Sequence, residues 1–315
     1  MPEQARSTVQ RTPVQATAAP RTVGQEQARP HVLALPRRWR LRGLSRDRAL
    51  LAALLLLLAF VAAAAVPQLF TAQSPDAMDI PARLAPPSPR YFFGTDEFGR
   101  DIWTRIVYGA QVAMAVALLS MSLALVVGVP VGLIAGWCGG LIDSALMRLQ
   151  DAILAFPTLL FAILVVALLG PSAFTVVLTM WVVYVPRFAR LVRAHVLLLK
   201  GMEFVVAAQA LGASGRRIML RHLLPNIVPT ILVQSSLGMA FAILTEASLS
   251  YLGLGVQPPA PTWGSMLRVA QRYAHEAPWY VLAPGGAIFC AVLLLNFIGD
   301  RLRDHLDPRL RRAGE

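Results

Sequence analysis

The sequence has little of the side-chain chemistry that soluble enzymes use. It has two cysteines, five histidines and a single lysine among 29 basic residues, and only 15% of its residues are charged. Cys138 and Cys290 fall in or beside apolar runs, which argues against a disulfide framework and against a zinc site. The histidines are scattered, and none pairs with another at a ligand spacing. Metal-centred chemistry is therefore not indicated.

The motifs of common catalytic classes are missing as well. No G-x-x-x-x-G-K-[ST] run occurs, because Lys200, the sole lysine, follows Leu199 instead of the required glycine. Without that loop the chain has no sequence signature for cradling the phosphates of ATP. The patterns G-x-S-x-G, H-E-x-x-H and C-x-x-C are absent too. We therefore expect a chain that is not itself an enzyme and binds no cofactor.

Long apolar runs are what the sequence does have. Hydrophobic residues make up 56% of the chain, which is typical of a polytopic membrane protein. Runs of about 20 apolar residues are long enough to cross a bilayer as helices. We predict an all-α membrane protein with six transmembrane helices, at about 50–70, 112–135, 152–169, from 172 to the arginine at 187, 227–251 and 279–298.

The polar segments divide the chain between these spans. The N-terminal stretch is rich in Pro, Gln, Thr, Ala and Arg without apolar periodicity, which predicts disorder, and it ends in an arginine run of the kind that attracts anionic lipid. We expect a disordered basic tail (1–49), a first transmembrane helix (50–70), an external loop with an interfacial helix (71–110), a transmembrane core (111–300) that includes a loop at 200–226, and a second tail (301–315).

The distribution of arginine predicts the topology. Six spans place both termini on one side, and that side carries 23 of the 29 basic residues. The positive-inside rule then puts both tails and the 200–226 loop in the cytoplasm. Nucleic-acid binding is disfavoured, because the arginines flank apolar spans instead of covering one soluble face. Arg187, Arg190 and Arg193 recur every three residues, and we expect them to face lipid phosphates on a helix leaving the membrane.

The most informative polar stretch is residues 203–226, called the elbow here. Small residues recur in it at helix-like spacing, at Ala207, Ala208, Gly212 and Gly215. Such a face lets another chain approach closely. We expect a break at 213–215, a cap at Ser214, and a second short helix over 216–224 that Pro225 stops. On these residues alone, an ordinary amphipathic helix between two spans remains the alternative.

The elbow resembles the EAA loop of ABC importer permeases, the coupling helix that sits in a groove of the ATPase subunit. The matching positions are Ala207, Ala208, Gly212, His222, Leu224 and Pro225. Val206 stands where that family usually has glutamate, which puts a salt bridge at this position in doubt. The resemblance implies an ATPase-coupling role for Glu203, Val206, Ala207, Ala208, Gly212, Ala213, Arg216, Arg217, His222, Leu224 and Pro225.

A second motif precedes the second span. Its two carboxylates, Asp96 and Asp101, have no histidine nearby and so make a poor transition-metal site. Together with Arg100 they predict an interfacial charge network. The motif closely resembles the G-T-D-x-x-G-R-D signature of the dipeptide/oligopeptide/nickel permease subfamily. The residues that match are Gly94, Thr95, Asp96, Gly99, Arg100 and Asp101.

Glu246 is the one acidic residue that falls inside a predicted span. A carboxylate within a membrane segment is a functional-site hypothesis by default. The chain places it near the outer end of the fifth span, where we expect water to reach it. A structural hydrogen-bonding role is favoured over contact with the transported solute.

Five motifs between residues 90 and 310 resemble, in order, the C-type permease subunit of a dipeptide/oligopeptide importer. The resemblance implies a type I ABC importer permease of the bacterial cytoplasmic (inner) membrane, surrounded by membrane lipid. It implies a second homologous permease, two ATP-binding subunits that hold ATP and Mg, and an extracytoplasmic substrate-binding protein. Cargo stays open among dipeptides, longer peptides, nickel chelates and glutathione. An ion-coupled secondary transporter is the alternative, although the spans are nearly bare of the ionisable residues it would need.

Overall fold

The structure is a computed structural model that describes residues 48–306. The predictions for most of the N-terminal tail, and for the tail beyond 306, lie outside this range. Within it the regular structure is helical. The helices are α1 (Arg48–Ala65), α2 (Ile102–Cys138), α3 (Gly140–Leu154), α4 (Thr158–Leu169), α5 (Ala173–Lys200), α6 (Glu203–Ala210), α7 (Gly215–Ile218), α8 (Leu224–Tyr251), α9 (Trp263–Ala270) and α10 (Pro278–Leu306).

Five of the helical segments in residues 48–306 are long and apolar enough to cross a membrane. A sixth is possible if α3 and α4, which meet at an angle of 83°, count as one broken span. The prediction of an all-α polytopic membrane protein is confirmed. The break has a local cause, because Pro157 lacks an N–H and disfavours helical backbone in the residue before it. The span predicted over 152–169 is therefore bent, with its first residues in α3 and the rest in α4.

Other element boundaries also differ from those predicted. Helix α1 ends at Ala65 and a 3₁₀ turn, Pro67–Leu69, follows it, so the first helix is shorter than 50–70. The separate interfacial helix does not form, since its residues are the first turns of α2. The side chain of Asp101 caps that helix by accepting a hydrogen bond from the N–H of Thr104, and nothing interrupts the helix afterwards.

The segment between the predicted fifth and sixth spans contains α9, and the last span runs beyond 298. A capping box begins α9: the Thr262 hydroxyl accepts from the N–H of Ser265, and the Ser265 side chain bonds back to the N–H of Thr262. Helix α10 continues to Leu306 without a break at the predicted end.

Small residues set the packing of the core. Gly128, Gly132 and Gly136 lie on the face of α2 that meets α5, and a Cβ atom on any of them would come within 2.8 Å of α5 atoms. Close approach of two helix backbones through small residues is a main source of helix association in lipid. A polar region of the protein lies at each end of α2.

Candidate functional site

The first polar region is the cap, residues 67–101, which precedes α2. Gly94 and Gly99 both adopt φ of 72°, the left-handed region that favours glycine. Asp96 lies between them and is fully buried. Its Oδ1 accepts hydrogen bonds from the N–H groups of Phe98 and Arg100, both at 2.9 Å, and its Oδ2 accepts from Arg100 Nε at 2.6 Å. This carboxylate therefore organises the signature turn.

Side-chain contacts bind the same turn to two membrane helices, α2 and α10. Glu97 accepts hydrogen bonds from Arg100 Nη2 at 3.0 Å and from the Tyr280 hydroxyl of α10 at 2.6 Å. Arg105 of α2 points back into the cap, with its Nε 3.6 Å from Asp96 Oδ2 and its Nη1 donating to the carbonyl of Pro75 at 3.0 Å. The predicted charge network is present, and it binds the cap to α2 and α10.

Close packing adds to these polar contacts. The Thr95 side chain is fully buried, donates to the carbonyl of Ala82 and accepts from the N–H of Ala85 at 2.8 Å. A Cβ atom on Gly99 would lie 1.8 Å from the carbonyl oxygen of Asp79. The six signature residues thus act together as one folded turn.

The second polar region is the elbow at the other end of α2. Its first helix, α6, turns Val205 and Ala208 inward, where they join the buried core. Gly212 ends the helix with φ of 78°, and the N–H of Ala213 donates to the carbonyl of Ala208 at 3.0 Å. The left-handed residue is therefore Gly212, one position before the predicted break at 213–215.

The second half of the elbow corrects another expectation. Ser214 caps α7 as predicted, accepting a hydrogen bond from the N–H of Arg217 at 3.4 Å. Pro225 does not stop the following helix. A π-helical turn, Met219–Leu223, leads directly into α8, and Pro225 occupies the first turn of α8, where its missing N–H costs little. The elbow is consequently continuous with the fifth span.

The elbow rests on the ends of two other helices. A Cβ atom on Gly215 would lie 2.6 Å from Nε1 of Trp137, at the end of α2. Lys200, at the end of α5, donates from Nζ to the carbonyl of Trp137 at 2.5 Å, and its ammonium lies 5.3 Å from the centre of that indole ring. Sequence reasoning missed this support, although a lysine in the last turn of a helix is a known partner for free carbonyl groups.

The predicted coupling residues do not all face the same way. Ala208 is buried in the core, so its side chain faces inward and does not contribute to the exposed elbow surface. The half-buried positions are Ala213, His222, Leu224 and Pro225. The exposed positions are Glu203, Val206, Ala207, Gly212, Arg216 and Arg217. Val206 is 53% exposed and its neighbour Leu211 is 88% exposed, which gives the elbow a solvent-facing apolar surface.

The arginine stripe of α5 is engaged within the protein. Arg190 Nη2 lies 2.6 Å from Asp151 Oδ1, and Arg193 forms a two-pronged pair with Asp143 at 2.5 and 2.7 Å. Both carboxylates belong to α3. The spacing of these two arginines did not indicate these partners, and Arg187 makes contacts of a different kind.

Glu246 is buried, with 1% of its surface exposed, so the expectation that water reaches it was wrong. The Ser250 hydroxyl, one turn later in α8, donates to its Oε1 at 2.7 Å. Its Oε2 has no hydrogen-bond partner among residues 48–306. The favoured hydrogen-bonding role is therefore present for one oxygen only.

Known proteins resemble the chain over most of its length. The family model described as a binding-protein-dependent transport system inner membrane component matches residues 128–312. The dipeptide transport system permease protein DppC of Alkalihalophilus pseudofirmus is 43% identical over 87% of this chain and 90% of its own. The glutathione transport system permease protein GsiD of Pectobacterium atrosepticum is 42% identical over 71% of this chain and 75% of its own.

The fold has a solved counterpart. An inward-facing structure of the MetNI methionine ABC transporter superposes with a TM-score of 0.52 and 19% identity, covering 64% of this chain and 96% of that one. At this identity the likeness concerns the fold alone. The family match and the relatives carry the assignment: the chain belongs to the family of binding-protein-dependent transport system inner membrane components and is a multi-pass ABC importer permease.

Proposed function

We propose that this permease works in an ATP-driven importer of small peptides and that the elbow is where an ATPase subunit docks. The observation that carries the docking site is the apolar surface that the elbow leaves exposed. Val206 and Leu211 lie outward there, beside the small side chain of Ala207. Small and apolar side chains around a rigid turn suit insertion into a groove of another protein.

The continuity of the elbow with α8 supports a mechanical role. Because α7, the π-helical turn and α8 form one uninterrupted helical path, a displacement of the elbow would move the fifth span. The support from Trp137 and Lys200 would pass the same displacement to α2 and α5. ATP binding on the partner would then bias the permease between inward- and outward-facing states.

The partners follow from this assignment. ATP and Mg would be held by two ATP-binding subunits, and the chain would pair with a second homologous permease and receive cargo from an extracytoplasmic binding protein. The excess of arginine on one side would place both termini and the elbow in the cytoplasm. The membrane would be the bacterial inner membrane.

Peptides are the proposed cargo because relatives named for dipeptide and for peptide transport are 43% and 44% identical to this chain over 87% of its length. The relative named for glutathione transport fits the same class, since glutathione is itself a small peptide. The binding protein would select among individual peptides.

Substitution of an exposed elbow residue tests the docking site. Ala207→Arg adds a long cation to the proposed contact surface, and we expect recovery of the ATPase with the tagged permease in mild detergent to fall at least about tenfold. The matched control is Ala274→Arg, at an exposed alanine shortly after α9, and it should leave the recovery of the ATPase unchanged. Equal recovery with both variants would overturn the docking site.

Uptake by sealed vesicles tests the importer itself. Vesicles holding the full complex and the binding protein should accumulate a radiolabelled dipeptide only when ATP is present. Accumulation without ATP, driven by a proton gradient, would favour a secondary transporter and overturn the proposal.

A further inference from the structure

Arg187 is placed differently from the other arginines of α5. It lies near the middle of the helix Ala173–Lys200, roughly 20 Å from either end at the usual rise per residue. The residues before it in the helix are apolar or hydroxyl-bearing. A guanidinium directly after such an apolar run, on a helix apolar enough to span a membrane, is expensive unless something compensates its charge, and such groups commonly mark the path of a transported solute.

The compensation comes from two aromatic rings. The central carbon of the Arg187 guanidinium lies 4.6 Å from the ring centre of Tyr184 and 5.3 Å from that of Phe241 on α8. The two rings meet edge to face, with centres 6.5 Å apart. Aromatic faces attract a cation, but they leave the N–H groups at the edge of the guanidinium plane available for hydrogen bonds.

No carboxylate neutralises this arginine within the described part of the chain. Arg190 and Arg193, one and two turns further on, each have an aspartate of α3 within 2.6 Å. Arg187 has no acidic group within 4 Å in residues 48–306. Among the three arginines of this helix, Arg187 alone lacks a carboxylate partner within the described residues, so an anion from outside the chain could pair with it.

The Tyr184 ring beside the cation is held in place by close helix packing. Gly238 of α8 faces Tyr184, and a Cβ atom there would lie 3.1 Å from the Tyr184 ring and 2.7 Å from the sulfur of Met121. Phe241, one turn along, keeps 41% of its surface exposed. The Tyr184 ring is therefore fixed by packing, and the Phe241 ring remains partly exposed.

We propose that Arg187, Tyr184 and Phe241 form a transit site that binds the carboxylate of a peptide as it crosses the membrane. The inference rests on the proposed peptide import. The guanidinium edge would hold the carboxylate by paired hydrogen bonds, a geometry that arginine offers and lysine does not. The exposed ring of Phe241 would pack against the peptide's side chain. Every peptide with a free C-terminus carries the recognised group, so the site would suit cargo of varied sequence.

Photolabelling of the assembled complex tests the site. The chain, its partner permease and the ATPases are placed in lipid nanodiscs with a dipeptide that carries a diazirine side chain, and the labelled segments are identified by mass spectrometry. We expect label in the α5 and α8 segments that contain Tyr184 and Phe241. Dialanine should displace the label at concentrations at least about tenfold lower than dialanine amide, because the amide loses the charged hydrogen bonds.

Variants of the arginine complete the test. Arg187→Gln should remove the preference for the free acid, whereas Arg190→Gln, which changes an arginine already paired with Asp151, should keep it. If the Arg187→Gln complex does not assemble, dialanine and dialanine amide are compared in the unmodified complex and in Arg187→Lys instead. We expect the preference for the free acid to be weaker with lysine.

Three results would overturn the transit site: label confined to other segments, equal displacement by acid and amide, or an unchanged preference in Arg187→Gln. Equal displacement would also be the result if the guanidinium binds a lipid phosphate instead. If a complex that gives one of these three results still imports a dipeptide with ATP, only the transit-site proposal fails. When the unmodified complex imports no peptide, the proposed function fails with it.

Discussion

The cap and the elbow lie at opposite ends of α2, and they handle their polar groups in opposite ways. In the cap, Asp96, Glu97 and Arg100 bond to one another, to backbone N–H groups and to side chains of two membrane helices. In the elbow, the local side-chain hydrogen bonds are those of Ser214 with the N–H of Arg217 and of Asn226 with the carbonyl of His222, and no ion pair forms there within residues 203–226. A region that satisfies its own groups can hold helices together unaided. The cap too exposes apolar side chains, among them Leu69 and Phe92, so polar bonding and not exposed apolar surface separates the two regions.

Two glycines also differ between the cap and the elbow. Gly99 in the cap and Gly212 in the elbow both have positive φ. A Cβ atom on Gly99 would collide with the backbone of Asp79, whereas nothing lies within 4 Å of a Cβ atom on Gly212. Glycine at 99 therefore serves both conformation and packing, and glycine at 212 serves conformation alone.

The largest effect is expected from Gly99→Ala. The added methyl group would sit 1.8 Å from the carbonyl oxygen of Asp79, so the backbone must shift as well as adopt a strained φ, at a cost of about 3 kcal/mol. We expect a clear fall in the melting temperature of the purified protein. Gly140→Ala, which has φ of 56° but open space around it, isolates the crowding and should cost only about 1 kcal/mol. Equal losses for both would show that crowding in the cap is unimportant.

The next largest effect is expected from Asp96→Asn. The asparagine keeps one oxygen for the backbone N–H groups but leaves Arg100 and Arg105 without their buried carboxylate, which we expect to destabilise the protein by about 2 kcal/mol. The melting temperature measures the loss. Asp76→Asn is the control, because that carboxylate is half exposed and 3.7 Å from Arg105, and it should change stability by less than about 0.5 kcal/mol. Matching losses would contradict the central role of Asp96.

The two regions also differ in how far the sequence revealed them. The signature motif predicted a charge network, since carboxylates and an arginine at turn spacing have few other uses, and the network is present. Its partners in distant helices, Arg105 and Tyr280, could not be predicted, because no local pattern links positions so far apart in the chain. The spans were found from apolar length, but their ends were misplaced wherever a cap or a proline decided them.

In the elbow, the residue types predicted the turn but not the path of the chain. Proline at 225 favoured a helix end there, and the π-helical turn before it overrode that preference. Helix periodicity placed Ala207 and Ala208 together, yet the structure exposes one and buries the other, which depends on the supporting helices. The pairing of Arg190 and Arg193 with α3 likewise needs the fold, whereas their spacing alone suggested a free basic face.

A smaller effect is expected from Gly212→Ala. The methyl group meets no neighbour, so only the positive φ opposes it, at about 1 kcal/mol. We expect a small fall in melting temperature and a loss of a few-fold in affinity for the ATPase, because the turn presents the exposed surface. Gly201→Ala, which has open space and negative φ, should have neither effect. A loss as large as that of Gly99→Ala would erase the proposed difference between the two glycines.

The smallest effect on stability, and the sharpest test of the comparison, is expected from Val206→Glu. This change introduces the glutamate that the EAA loop usually has at this position. Because the position is 53% exposed, the melting temperature should change no more than with an ordinary surface substitution. If the elbow surface is completed by the ATPase, the new carboxylate should alter affinity for that subunit, by less than about tenfold because rim charges contribute little. Ala210→Glu, one turn later on the same exposed helix, carries the same charge and separates position from net charge. A change in affinity confined to position 206 would identify it as a contact. Equal changes at both positions would reduce the effect to general electrostatics, and no change at either would mean that α6 makes no contact with the ATPase.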